Sequence, residues 1–296
     1  MGMSRPTHPA GRLPAPAMTV FDEAIAVRVA GEGRYEVTPD DRFAISGAVN
    51  GGVLLASMLR AVLDSSPHPY PIATSAHFLR APRPEPAHVD VAWLKHGKVA
   101  ATARATLIQD GRPVLESTVT TGALGDPADV GGLSWTGEPP GLPPIEECHG
   151  IENAAGPRAF SGFAKQVDLR LDPATTGWTR GEPGGTPEMR GYFQLRESRD
   201  PDAYLLALAV DSLPPVVFGL AVVGWSPTVE LTWYMRAVPA PGVLRVAARC
   251  RHVSGGWFDE EAEVWDSAGR LVAQSRQIAL VGRGARARSN LTLGQS

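Results

Sequence analysis

The chain has 296 residues, 28 Lys and Arg against 31 Asp and Glu, a net charge of −3 and 43% hydrophobic residues. That composition excludes a strongly basic nucleic-acid surface and a highly charged disordered chain, and leaves room for two domains of about 150 residues. Two cysteines, Cys148 and Cys250, cannot build a disulfide framework, so the chain reads as cytoplasmic. Residues 1–18 contain Arg and Pro but no apolar run, and read as a disordered lead rather than a signal peptide. Strand candidates AIAVRV and GRYEV come next, followed by Asn50-Gly51-Gly52 and the apolar helix VLLASMLRAVLDSS. Beyond His77, Ala101, Ala103, Ala105 and Leu107 alternate with Thr102, Arg104 and Thr106, a strand that runs into the Asp110-Gly111 turn. Residues 126–157, rich in Gly, Pro and Glu, read as a linker. AKQVDLRL and EMRGYFQL are further strands, and DAYLLALAVDSL predicts a second apolar helix over 202–213, stopped by Pro214-Pro215. Leu244, Val246, Ala248 and Cys250 then alternate with arginines and Ala247, and a turn follows at Asp266–Gly269.

These elements repeat. HFLRA at 77–81 matches WYMRA at 233–237, with Arg80 on Arg236 at an offset of 156. Gly97 matches Gly255, and Gly111-Arg112 matches Gly269-Arg270, both at 158. The unit is strand, strand, apolar helix and three antiparallel strands, used twice. An apolar helix without a polar face must be covered on nearly all sides, and a curved antiparallel sheet wrapped round it does so. The expected fold is α+β, a double hot-dog: first unit 19–125, linker 126–157, second unit 158–285 and a tail at 286–296. The apolar stretch 205–229 is broken by Pro214-Pro215 and reads as core rather than a membrane span.

Asp211 is the single charge in that stretch of 25 residues. A carboxylate in apolar surroundings is costly unless paired or functional, and burial lifts its pKa towards that of a working base. Asn50-Gly51-Gly52 has two readings: an ordinary N-cap, or a helix N-terminus whose bare N–H groups meet an oxyanion. For Thr228, at a strand start, β-propensity is a sufficient account. Gln277 shares its strand parity with Ala273, Ser275 and Ala279, which points its amide inward if that face is buried. Glu146-Glu147-Cys148-His149 carries metal-ligand types without a second cluster, so no metal is expected. His77 reads as a packing or interface residue, and Arg283, Arg286 and Arg288 as a frayed tail. No G-x-S-x-G elbow, P-loop or dinucleotide fingerprint is present.

VNGGVLLASMLRA, SAHFLRAP, QDGRPV, PTVELTWYMRA and WDSAGRLVAQSRQIALV, in this order, resemble the bacterial type II acyl-CoA thioesterases over about residues 20–283. The resemblance implies a polar site of Asp211, Thr228 and Gln277, in which the Asp, on the second helix, activates water held by the other two. It also favours the oxyanion reading of Gly51 and Gly52, with Gly52 ahead. No cofactor is implied, since CoA arrives within the substrate, and the partners expected are an acyl thioester and a second copy of the chain. Two rival activities stand beside hydrolysis: a dehydratase or hydratase on the same fold, which would want a His beside the Asp, and a non-hydrolytic acyl-thioester binder or tailoring protein.

Overall fold

A computed structural model describes residues 18–125, 135–153 and 162–282. The predicted lead and tail lie outside these residues, apart from Met18, as do parts of the linker and the first residues of the second unit. The first unit opens with a short helix α1 (Val20–Ala24), capped by Thr19, and a hairpin of β1 (Arg28–Gly31) and β2 (Arg34–Val37). A two-stranded ribbon, β3 (Ala44–Ile45) and β4 (Ala48–Val49), leads into helix α2 (Gly51–Asp64). Four strands follow: β5 (Tyr70–Phe78), β6 (Ala87–Lys95), β7 (Ala100–Gln109) and β8 (Arg112–Gly122). The second unit has β9 (His149–Gly150), α3 (Phe163–Gln166), β10 (Val167–Leu171), β11 (Glu188–Leu195) and helix α4 (Ala203–Ala209). It closes with β12 (Thr228–Met235), β13 (Leu244–Arg249), the short β14 (Val253–Ser254), β15 (Trp257–Trp265) and β16 (Leu271–Leu280).

All but the small ribbon join one 14-stranded antiparallel sheet in the order β1-β2-β6-β7-β8-β5-β12-β16-β15-β13-β11-β10-β9, with β14 hung on β15. From the central β5–β12 pair outward, six strands on each side mirror each other, β5-β8-β7-β6-β2-β1 against β12-β16-β15-β13-β11-β10, and β9 adds a seventh to the second half. The fold is a double hot-dog, and its repeat is visible in topology as well as in sequence. Alternation does what the period of two requires: Ala101, Ala103, Ala105 and Leu107 are buried, as are Leu244, Val246, Ala248 and Cys250.

The structure departs from the expected unit in three places. Four long strands follow each helix, because SAHF belongs to its own strand β5 rather than to the start of the next. AIAVRV and AKQVDLRL each begin as helix, α1 and α3, and turn to strand only at Arg28 and Val167. The HFLRA–WYMRA match is also one residue out of structural register. Trp233 pairs with Ser275 as Ala76 pairs with Ser117, and the Arg236 N–H reaches the Val272 carbonyl as that of Leu79 reaches Val114. The Arg80 N–H shares the Val114 carbonyl, so the first unit holds an extra residue in a bulge.

Helix α2 is buried from Gly52 to Leu59, and α4 from Leu205 to Ala209. The two helices pack against each other and against the strands, so closely that a Cβ on Gly52 would stand 2.7 Å from the Ala207 carbonyl oxygen. Their contact brings the start of α2 to the end of α4.

Candidate active site

Asn50 caps α2, its Oδ1 accepting from the Val53 N–H at 3.3 Å. Its Nδ2 crosses to the second unit and donates to the Asp211 carbonyl oxygen at 3.0 Å and to Asp211 Oδ2 at 3.2 Å. The Gly52 N–H donates to the same Oδ2 at 2.9 Å. Asp211 itself is not on the helix: α4 ends at Ala209, four residues short of the span read from sequence. The Asp211 and Ser212 N–H groups fold back on Leu208 and Ala209, and the Ser212 hydroxyl takes the Ala209 carbonyl at 2.8 Å. This tightened turn, followed by two prolines that cannot extend a helix, presents Asp211 to the positive end of α2. Burial pushes its carboxyl up to about 6, against the opposing pull of the Gly52, Asn50 and Gly51 donors.

A second polar chain lies beside it. The Thr228 hydroxyl donates to Gln277 Oε1 at 2.7 Å, and Gln277 Nε2 donates to Glu260 Oε1 at 2.7 Å. Glu260 Oε2 accepts from the Val216 N–H at 3.0 Å, at the start of the 3-10 turn Val216–Leu220. Glu260 is only 4% exposed. Burial, with the Asp211 charge adding to it, raises its carboxyl to about 7.

Asp211, Thr228, Gln277, Glu260 and Asn50 all line one cavity of about 550 Å³. Its walls are apolar, with Leu54, Phe78, Leu213, Phe218 and Phe258 prominent, and Val223 and Trp225 partly exposed among the lining residues. A few convergent polar groups in an apolar hollow of this size are the usual make-up of a small-molecule site. Gly51 lines the cavity too, whereas Gly52 stands behind it with its N–H directed to Asp211. The structure therefore brings Asp211, Thr228, Gln277 and Gly51 together, and reverses the order of the two glycines in access to the cavity.

Two participants escaped the sequence reading. Asn50 looked like a cap alone, yet it ties the two units together at Asp211. Glu260 was hidden in the run Asp259-Glu260-Glu261, which looks like a solvated edge. The signal was parity: Glu260 shares the inward face with Phe258, Ala262 and Val264, all buried. Other candidates fall elsewhere. His77 is exposed and pairs with Glu230, and among the described residues no histidine lines the cavity. Arg283, Arg286 and Arg288 lie outside the described residues. No helix of the described residues is long and apolar enough to cross a membrane.

Comparison with known proteins agrees with this architecture. The family model described as acyl-CoA thioesterase N-terminal domain matches residues 38–122, and that of the acyl-CoA thioesterase C-terminal domain matches 145–281. An uncharacterised Mycobacterium tuberculosis protein is 30% identical over 269 residues, covering 83% of this chain and 90% of its own. The solved structure of a candidate thioesterase II from Thermobifida fusca superposes with a TM-score of 0.82 at 40% identity, covering 91% of this chain and 99% of that one. A hot-dog protein of unknown function from Alicyclobacillus acidocaldarius gives a TM-score of 0.78 at 21% identity, covering 91% and 100%, a likeness of fold. With both of its halves matched in order and the mirrored sheet to carry them, the chain belongs to the acyl-CoA thioesterase family.

Proposed function

We propose that the protein hydrolyses an acyl-CoA thioester with water activated by Asp211. The observation that carries this reading is a carboxylate of raised pKa, about 6, held at a helix N-terminus in the same apolar cavity as the Thr228–Gln277 pair. At neutral pH such a group is mostly ionised yet still basic enough to take a proton. Water held by Thr228 and Gln277 gives one proton to Asp211 while its oxygen attacks the thioester carbonyl carbon. The N-terminus of α2, open to the cavity at Gly51, is the positive region nearest the oxygen that gains charge, and the Gly52 N–H steadies Asp211. Collapse of the tetrahedral adduct breaks the C–S bond, and the thiolate recovers the proton, which leaves free acid and CoA. The acyl chain lies among Leu54, Phe78 and Phe218.

A dehydratase on this fold would need a second acid–base group such as His, and the described cavity supplies a carboxylate, Glu260, already bonded on both oxygens. The test is thiol release from short, medium, long and aromatic acyl-CoAs, with affinity measured in parallel. Tight binding without thiol release from any of them would favour the non-hydrolytic binder instead.

A further inference from the structure

We infer that Glu260 is a positioning residue that sets the hydrogen-bond polarity of the Gln277–Thr228 chain, so that Thr228 meets the reacting water as an acceptor. The inference rests on the hydrolytic reading above for its kinetic consequence, and on geometry for the rest. Both oxygens of Glu260 accept: one from the Val216 N–H, whose direction the backbone fixes, and one from Gln277. Once ionised, above about pH 7, Glu260 has no proton to give, so Gln277 turns its NH₂ towards it and its Oε1 towards Thr228. Thr228 then has to donate to Gln277, at 2.7 Å, and only the lone pairs of its Oγ1 remain for the cavity. Water held there donates one hydrogen to Thr228 and the other to Asp211, accepts from the second Gln277 N–H, and keeps a lone pair for the thioester carbon. The order is set from the far end of the chain, by a residue that need not touch the substrate. Asp211 and Arg80 are the other charged groups lining the cavity, and the charges of Asp211 and Asp259 act on Glu260 through space rather than through this chain.

The Val216 N–H makes the inference testable, because it dictates how an amide at position 260 would sit. In Glu260→Gln the side-chain oxygen must face Val216 and the NH₂ must face Gln277. Gln277 then flips, its NH₂ donates to Thr228, and the Thr228 hydroxyl is turned towards the water as a donor. The expected result is a kcat lower by roughly 10–100-fold with little change in KM, as for other residues that act by orienting a catalytic group. The exchange Glu260→Gln with Gln277→Glu restores the original direction: the new amide serves Val216 and position 277, and the carboxylate at 277 accepts from Thr228. The double variant lacks the 277 N–H that the water accepts from, so it should recover part of the kcat lost by Glu260→Gln, a non-additivity that a purely structural role would not give.

A readout independent of turnover is the side-chain amide of Gln277 by NMR. In the unmodified protein one Nε2 proton should be shifted strongly downfield by its charge-assisted bond, and should move upfield in Glu260→Gln. Unchanged kcat in Glu260→Gln, a double variant no faster than the single one, or a Gln277 amide without the downfield proton would each overturn the inference. If the unmodified protein hydrolyses no acyl-CoA, the hydrolytic reading fails while the amide signal still decides the polarity of the chain.

Discussion

The two halves of the sheet carry the same strands in mirrored order, and at one level they differ completely. In the first unit Val119 sits opposite Ala103 and Thr74; in the second, Gln277 sits opposite Glu260 and Leu231. The buried serines Ser117 and Ser275, one inward position away, mark the levels as equivalent. Ala103 and Val119 are wholly covered, while Glu260 and Gln277 line a cavity. The helix N-termini differ in the same sense. The N-terminus of α4 is closed by Asp202, which accepts from the Tyr204 and Leu205 N–H groups and is held by Arg199. That of α2 is met by Asp211 from the other unit. One backbone plan thus yields a sealed end and an open, polar one, and the difference lies in a handful of side chains. The scaffold alone does not make a site.

The comparison is broken most severely at Asp211. Asp211→Asn should lower hydrolysis by about 10²–10⁴-fold, since it keeps the shape and removes the base. Thiol release, acyl-CoA affinity and melting temperature measured together check this, and full activity in a well-folded variant would remove Asp211 from the mechanism. Planting the polar level in the wrong unit should cost stability instead. Ala103→Glu places a carboxylate where no partner waits, and should destabilise by about 3–5 kcal/mol in denaturant titration, the scale of an uncompensated buried charge.

The converse change, Glu260→Ala with Gln277→Val, copies the first unit into the second. It should abolish most turnover and cost about 1–3 kcal/mol of stability in denaturant titration, because the buried Val216 N–H loses its acceptor. At the helix contact, Gly52→Ala forces a methyl against the Ala207 carbonyl and should cost about 1–3 kcal/mol as an overpacked interface. The smallest effect is the pH response. Hydrolysis should rise with pH through about 6 as Asp211 ionises, and further through about 7 as Glu260 does. Because that pKa is raised in the folded protein, the stability it contributes is present below 3.8 and is lost as pH climbs towards 6. Asp211→Asn should therefore compare most favourably with the unmodified protein above pH 6.

Much of this was legible in the chain. The alternation of Ala101–Leu107 and of Leu244–Cys250 gave strands with the correct inward face, and the matched turns at Gly111 and Gly269 gave the duplication. Asp211 announced itself by isolation in an apolar stretch. What stayed hidden depends on contacts between distant segments. Asn50 reads as a cap until α4 is seen to end beside it, and Glu260 reads as surface until its parity with Phe258 and Ala262 is counted. The one-residue slip between HFLRA and WYMRA had no local mark at all: a bulge is set by which carbonyl on β8 takes two N–H groups. The early end of α4 was equally silent, because 203–213 is helix-compatible throughout up to the prolines.

The crossing bond from Asn50 to Asp211 has a further consequence for how such a chain can change over generations. The first repeat contributes an amide and a helix end to the site; the second contributes the carboxylates, the hydroxyl and the glutamine. Neither half alone holds both the Asp211 carboxylate and the groups that donate to it. A substitution at Gly52 is judged by what stands at Ala207 and Asp211, more than 150 positions downstream. At this seam a change in one repeat is felt by side chains of the other.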